Sequence, residues 1–223
     1  MSSKVVVAID GPSGSGKSST SRGAADRLAL RYLDTGAMFR AMTWFMLSEG
    51  VDVHDREAVA AKADEPEIES GTDPHGPAIL VNGEDVAAAI REPEVTNAVS
   101  PVSIVPEVRS RLLDLQRSII GEGGIVVEGR DIGSVVWPQA EVKLYLTANT
   151  DARARRRAAE EGGSDVSGVA ESLLARDKID SGRRTAPLTM PAGAVHIDTT
   201  PFTLDEVISQ VVALATEASG SGT

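Results

Sequence analysis

Between the apolar run Val5-Val6-Val7-Ala8-Ile9 and a stretch with alanine or leucine at 24, 25 and 28 lies the string Gly11-Pro12-Ser13-Gly14-Ser15-Gly16-Lys17-Ser18. The pattern G-x-x-x-x-G-K-[ST] carries structural meaning only where it leaves a buried strand and opens a helix. Both flanks are present: the apolar run predicts the strand, and Ser19 to Leu28 predicts the helix. Glycine lets backbone approach an anion closely, successive N–H groups of such a loop point inward, and the helix N-terminus behind them adds a favourable dipole. The loop is therefore expected to cradle nucleotide phosphates through Gly11, Pro12, Ser13, Gly14, Ser15, Gly16, Lys17, Ser18 and Ser19. Lys17 is expected to reach the β- and γ-phosphates, and Ser18 to hold Mg²⁺ together with the phosphates.

Composition narrows the class. At 223 residues the chain has the length of one α/β domain and enough residues for a sizeable core. It contains no cysteine, which excludes disulfides, thiolate metal sites and a cysteine nucleophile. No basic and apolar leader pattern precedes the first strand, and no apolar run is long enough for a membrane span, so a cytoplasmic protein without a membrane partner is expected. The net charge of −11 argues against a sequence-independent nucleic-acid surface. Basic residues nonetheless divide into 17 Arg and 5 Lys, and the planar guanidinium fork suits a site that holds several phosphates.

Along the chain, Tyr32-Leu33-Asp34 predicts a second strand and Thr35 to Leu47 a helix capped by Asp34 or Thr35. An acidic, alanine-rich stretch from Asp55 to Glu65 predicts a further helix. Short strand candidates at Glu67-Ile68-Glu69 and Ala78 to Val81, with an Asn82-Gly83 turn into Glu84-Asp85-Val86, predict a small antiparallel patch. Helical pattern returns from Val95 to Ile120, with Ser100-Pro101 read as one boundary and Pro106 as a helix start. Strands follow at Ile125 to Val127, Val142 to Leu146 and Val195 to Asp198, separated by helical stretches; Leu204 to Leu214 is the last helix, with a frayed tail from Ser219. The alternation predicts a parallel five-stranded sheet flanked by helices, with ligand sites at the carboxyl ends of strands.

Arginines gather at those ends. Arg40 lies one turn into the helix after the second strand, Arg130 directly after the third, and Arg153, Arg155, Arg156 and Arg157 after the fourth; Arg176 and Arg183 bracket Asp180. Four cations within five residues repel one another unless anions lie nearby. The flexible Glu160-to-Gly168 stretch beyond them predicts a mobile lid that brings arginine to a transferring phosphoryl group. His54, His75 and His196 fit no metal-ligand spacing, and no general base is evident. A phosphate acceptor needs none, since its oxygens are already ionised and catalysis rests on positioning and charge neutralisation. A regulatory GTPase is disfavoured because Asn-Lys-x-Asp is absent, and a nucleic-acid motor because no apolar strand ends in Asp-Glu.

Four segments, Asp10 to Ser19, Leu33 to Arg40, Glu128 to Pro138 and Arg176 to Arg183, together resemble the bacterial cytidylate kinase family, a likeness that extends over residues 4 to 215. The resemblance implies a single nucleoside monophosphate kinase domain of the P-loop type, with core 1–62, 92–152 and 170–223, an NMP-binding insertion at about 63–91 and a lid at about 153–169. It implies transfer of the γ-phosphoryl of ATP to CMP or dCMP by a monomer, with Mg²⁺, and no nucleic-acid partner. Lys17, Arg130, Arg153, Arg157 and Arg176 are then the expected catalytic cations. Arg40, Arg130 and Arg183 resemble residues holding the acceptor's 5′-phosphate, Asp180 and Arg176 those near its sugar, and Ser100, Arg109 and Asp131 the set that reads cytosine, with Thr35 also at this site. Asp131 suits the N4 amino donor, and Arg109 and Ser100 suit N3 and O2. Phe39, Glu128 and Trp137 depart from the Tyr, Asp and Phe usual in that pattern.

Overall fold

The N-terminal apolar run becomes β1 (Val6–Asp10), buried along its whole length as expected of a strand covered on both faces. In this computed structural model, which describes residues 4–160, 163, 165–183 and 186–220, β1 is central in a five-stranded sheet. Its companions are β2 (Arg31–Asp34), β6 (Ile125–Gly129), β7 (Val142–Thr147) and β8 (Val195–Asp198), in the order β2-β6-β1-β7-β8. β1 pairs in parallel with β6, Asp10 opposite Gly129, and with β7, Asp10 opposite Tyr145. That register brings the end of β1 level with the segment that follows β6.

The chain divides into two units, Met1–Tyr32 with Glu122–Thr223, and Leu33–Gly121. In the first, α1 (Lys17–Arg27) and α8 (Leu204–Gly220) pack together. Gly23 permits this, because a Cβ there would lie 2.3 Å from Ile208 Cδ1. Val7, Ile9, Val126, Leu144, Ala24, Ile208 and Val211 form the buried cluster beneath them. α6 (Thr150–Glu160) and α7 (Val166–Ser181) pack on each other. Residues 161, 162 and 164 of the expected lid, and 184 and 185 of the loop before β8, lie outside the described residues. α8 continues to Gly220, past the Ser219 at which fraying was expected.

The second unit holds α2 (Thr35–Ser48), α3 (Arg56–Ala61), α4 (Pro93–Ser103) and α5 (Pro106–Ile120). It also holds the antiparallel sheet β3 (Ile68–Ser70), β4 (Ile79–Val81) and β5 (Glu84–Asp85). Asn82 and Gly83 both take positive φ, 51° and 81°, as a two-residue hairpin turn demands. α2, α4 and α5 belong to the same unit as this sheet. Ser100-Pro101 is not a boundary: α4 runs through Pro101 to Ser103. So late in the helix proline forfeits a single backbone bond, and burial of Val95, Val99 and Val102 offsets that loss. No helix among the described residues is long and apolar enough to cross a membrane.

Candidate active site

In the first unit the glycine string leaves β1 and enters α1 at Lys17, with Gly16 as N-cap in the left-handed region. Gly11 must lack a side chain, because a Cβ would fall 2.1 Å from the Leu146 carbonyl oxygen of the neighbouring strand. The loop's carbonyls are held from several sides. Lys17 Nζ donates to Pro12 O at 2.8 Å, Arg153 Nε to Ser13 O at 2.6 Å, and Thr199 Oγ1 to Ser15 O at 3.0 Å. These bonds hold the loop's backbone in shape, and successive N–H groups of such a loop can form an anion nest.

The arginine run of α6 separates by helical period. Arg155 is exposed, whereas Arg153, Arg156 and Arg157 share the inner face. Arg153 also reaches Asp177 Oδ2 at 2.6 Å through Nη1. Arg156 donates to Thr199 Oγ1 at 2.8 Å and to its carbonyl at 3.0 Å, and the same hydroxyl continues to Ser15. Arg153, expected among the catalytic cations, thus holds the Ser13 carbonyl and Asp177, while its buried Nη2 has no hydrogen-bond partner among the described residues.

Around Asp180 on α7 the charges concentrate. Its carboxylate, nearly without exposure, binds Arg130 Nη2 at 3.3 Å through Oδ2 and Arg183 through Oδ1. Arg130 also donates to Gly11 O at 3.4 Å. Arg176 Nε is buried with no hydrogen-bond partner among the described residues. Burial, reinforced by the positive charges of Arg130 and Arg157, pulls its guanidinium down to about 10, against the opposing attraction of Asp180 and Asp177. Arg130, Arg153, Arg157, Arg176 and Arg183 thereby share this region with the carboxylates of Asp177 and Asp180. This excess of partly desolvated positive charge calls for an anion.

Two further carboxylates organise the strand ends. Glu128, at the end of β6, accepts from Ser18 Oγ at 2.9 Å and from the Tyr32 hydroxyl. Asp10, wholly buried, accepts from Ile132 N at 2.7 Å and Gly133 N at 2.8 Å. Asp131, also buried, precedes a π-helical turn at Ile132–Val136.

The second unit brings together its own share of the expected residues. Asp34 caps α2 by accepting from Ala37 N at 2.9 Å, and Thr35 is buried at the first helical position. Arg40 is buried, its Nη1 donating to Thr96 Oγ1 at 2.8 Å and Ile90 O at 3.2 Å. Arg109 places its guanidinium 5.4 Å from the Phe39 ring centroid and donates to Ser103 O at 3.2 Å; the Ser103 hydroxyl bonds the Ser100 carbonyl at 3.0 Å. Ser100, Arg109 and Phe39 are therefore one linked group.

Asp10, Asp177 and Thr199 escaped the sequence reading. Asp177 had a legible signal, as a second carboxylate between Arg176 and Arg183. Asp10 and Thr199 act on backbone groups distant in sequence, and no local pattern marks them.

The chain matches the family model described as cytidylate kinase over residues 7–217. A protein named cytidylate kinase from Streptomyces avermitilis is 57% identical, covering 96% of this chain and 93% of its own. Another of that name, from Rhodococcus jostii, is 49% identical over 99% of this chain and 98% of its own. A gluconokinase structure from Sinorhizobium meliloti aligns over 99% of this chain and 97% of its own at 14% identity and a TM-score of 0.53, a likeness of fold.

Proposed function

This chain belongs to the cytidylate kinase family, a family of phosphotransferases, and from that premise we propose that it transfers the γ-phosphoryl group of ATP to CMP or dCMP, giving ADP and CDP or dCDP. The observation that carries the reading is the set of buried and half-buried arginines around Asp177 and Asp180, in the same unit as the anion-binding loop. Two anionic nucleotides would neutralise that set, and the set would in turn screen their mutual repulsion.

The loop N–H groups and Lys17 hold the β- and γ-phosphates of the donor. Arg157 and Arg176 stabilise charge on the oxygens of the transferring group, Arg153 holding the loop from behind. In the first unit Arg130 and Arg183 take the acceptor's 5′-phosphate, Asp180 and Arg176 lie by its sugar, and Asp131 accepts from the cytosine amino group. In the second unit Arg40, Thr35, Ser100 and Arg109 stay the residues that the family resemblance implies for the acceptor, with Ser100 and Arg109 suited to the base acceptors. A uracil carbonyl facing Asp131 would leave two acceptors opposed, which disfavours UMP. Proton abstraction is not required, because the attacking phosphate oxygen is already ionised.

Ser18 and Glu128 fit a magnesium ion, being a hydroxyl and a carboxylate 2.9 Å apart at the mouth of the loop. Mg²⁺ prefers oxygen donors and few protein ligands beside water and phosphate. Ser18 would hold it directly and Glu128 would orient Ser18; once bound, the ion neutralises charge on the donor phosphates. Among the described residues no group of three or more carboxylates or histidines competes for a metal.

The test is ADP release measured with CMP, dCMP, UMP, AMP, dTMP and shikimate as acceptors. CMP or dCMP is expected to give the highest kcat/KM, and a faster acceptor outside that pair overturns the assignment.

A further inference from the structure

The last residue of β1 does more than end a strand. Asp10 has no exposed surface, and each of its carboxylate oxygens accepts one backbone N–H: Oδ1 from Ile132 at 2.7 Å and Oδ2 from Gly133 at 2.8 Å. These are the two N–H groups that directly follow Asp131. The next residue of β1's exit, Gly11, accepts from the Arg130 side chain through its carbonyl. The Arg130-Asp131 pair is therefore fastened on both sides to the last residue of β1 and the first residue of the phosphate loop. The approach is close. A Cβ at Gly133 would come within 3.3 Å of Asp10 Oδ2 and 3.0 Å of Pro191 Cγ, so any larger residue there would push on both neighbours.

We propose that Asp10 is a positioning residue for acceptor recognition: it sets the backbone from which Asp131 and Arg130 meet the acceptor nucleotide, and so ties the acceptor-binding segment to the donor loop. This rests on the reading of Asp131 and Arg130 as acceptor contacts. The geometry asks for a carboxylate specifically. Two N–H donors converge on one side chain, which a carboxylate satisfies with both oxygens and an amide with only one. An asparagine would direct its own NH₂ at one of the two donors and leave that N–H buried without an acceptor.

The charge environment is consistent with this role. Burial pushes the Asp10 carboxyl up to about 6, the Asp131 charge adds to that, and the two N–H groups and Lys17 oppose it. Tyr145 lies opposite Asp10 on β7 and feels its charge in turn. A buried carboxylate facing another carboxylate is costly to keep, and its two backbone bonds are the compensation visible in the structure.

The experiment compares the wild type with Asp10→Asn and Gly133→Ala. The second perturbs the same joint from its other side, since the added methyl crowds the Asp10 carboxylate. Kinetics with CMP and UMP are paired with calorimetric binding of a non-hydrolysable ATP analogue to the protein without acceptor. In both variants the CMP KM is expected to rise about tenfold or more, and the CMP-over-UMP ratio of kcat/KM to fall. Affinity for the ATP analogue alone should stay near the wild-type value. The double variant should be little worse than either single one, as expected for two changes at one joint. The proposal is overturned if the CMP KM and the CMP-over-UMP ratio do not move, or if ATP-analogue and CMP affinities fall together, the mark of a general packing defect. Wild-type protein that fails to bind CMP at all would instead reject the acceptor assignment, a separate result.

Discussion

Arg153 Nε donates to the carbonyl oxygen of Ser13 at 2.6 Å, so an arginine from the basic run on α6 grips the phosphate loop from outside. Its Nη1 binds Asp177 at 2.6 Å, its buried Nη2 has no hydrogen-bond partner among the described residues, and both side chains are largely withdrawn from water. The pair is a brace for the loop's shape, in which one planar guanidinium meets a carbonyl and a carboxylate at once.

Arg153→Lys should therefore act on the donor. A single ammonium cannot span both partners, and leaving one buried acceptor unmet costs on the order of 1–3 kcal/mol. The ATP KM is expected to rise about tenfold while the CMP KM stays near wild type. Steady-state kinetics with each nucleotide varied in turn decides this. A fall confined to kcat would return Arg153 to direct contact with the transferring group.

Ser18, Glu128 and Tyr32 make a second chain of contacts, from the loop hydroxyl through a buried carboxylate to a buried phenol. Tyr32→Phe removes one donor to Glu128 and frees the carboxylate to turn away from Ser18. Stability should drop by about 1–2 kcal/mol. More Mg²⁺ should also be needed for half-maximal activity, which a magnesium titration of the variant measures. Chelation of the metal should stop turnover and leave the far-ultraviolet circular dichroism unchanged. An unaltered magnesium requirement in both Tyr32→Phe and Glu128→Gln would remove this chain from metal binding.

Much of this architecture is written locally. The five strands of the parallel sheet, the Asn82-Gly83 hairpin and the glycine loop each follow from a short run of residues with one physical meaning. What local pattern could not supply was pairing across the chain. Ser100-Pro101 read as a break because proline lacks an N–H, yet apolar burial along α4 outweighed one missing bond. Of the arginine run the sequence singles out Arg153 and Arg157, and the helical period sorts the four into an exposed Arg155 and three on the inner face. Asp10 reads only as the head of the first family segment, without a role, because its partners, Ile132 and Gly133, lie more than a hundred residues on and contribute only backbone.

Base selection offers a sharper test. Arg109 is stacked on Phe39 and tied through Ser103 to Ser100, so the ring helps fix the direction of the guanidinium. Phe39→Leu should raise the CMP KM severalfold, in keeping with about 0.5–2 kcal/mol for a cation–aromatic contact. Asp131→Ala should raise it further and narrow the CMP-over-UMP ratio, because the acceptor for the N4 amino group is gone. Competition between CMP and UMP in one reaction measures that ratio directly. A ratio unchanged in Asp131→Ala would assign base reading to other residues.

Asp10 also gives the protein a pH signature in its stability. Its carboxyl ionises near 3.8 when solvated and near 6 in the fold, where burial is the dominant cause. Between those two values the folded chain holds a proton that the unfolded chain has lost. Stability owed to this group is therefore complete below the lower value and declines as pH rises through the upper one. The difference of roughly two pKa units corresponds to about 3 kcal/mol. Asparagine at this position cannot ionise, so wild type minus Asp10→Asn isolates the effect. Denaturant unfolding of the two proteins should show the wild type's relative stability falling between about pH 4 and pH 6 and flattening above pH 7. A difference that grows with pH would mean that the fold favours the ionised carboxylate, with the two backbone N–H groups and Lys17 outweighing its burial.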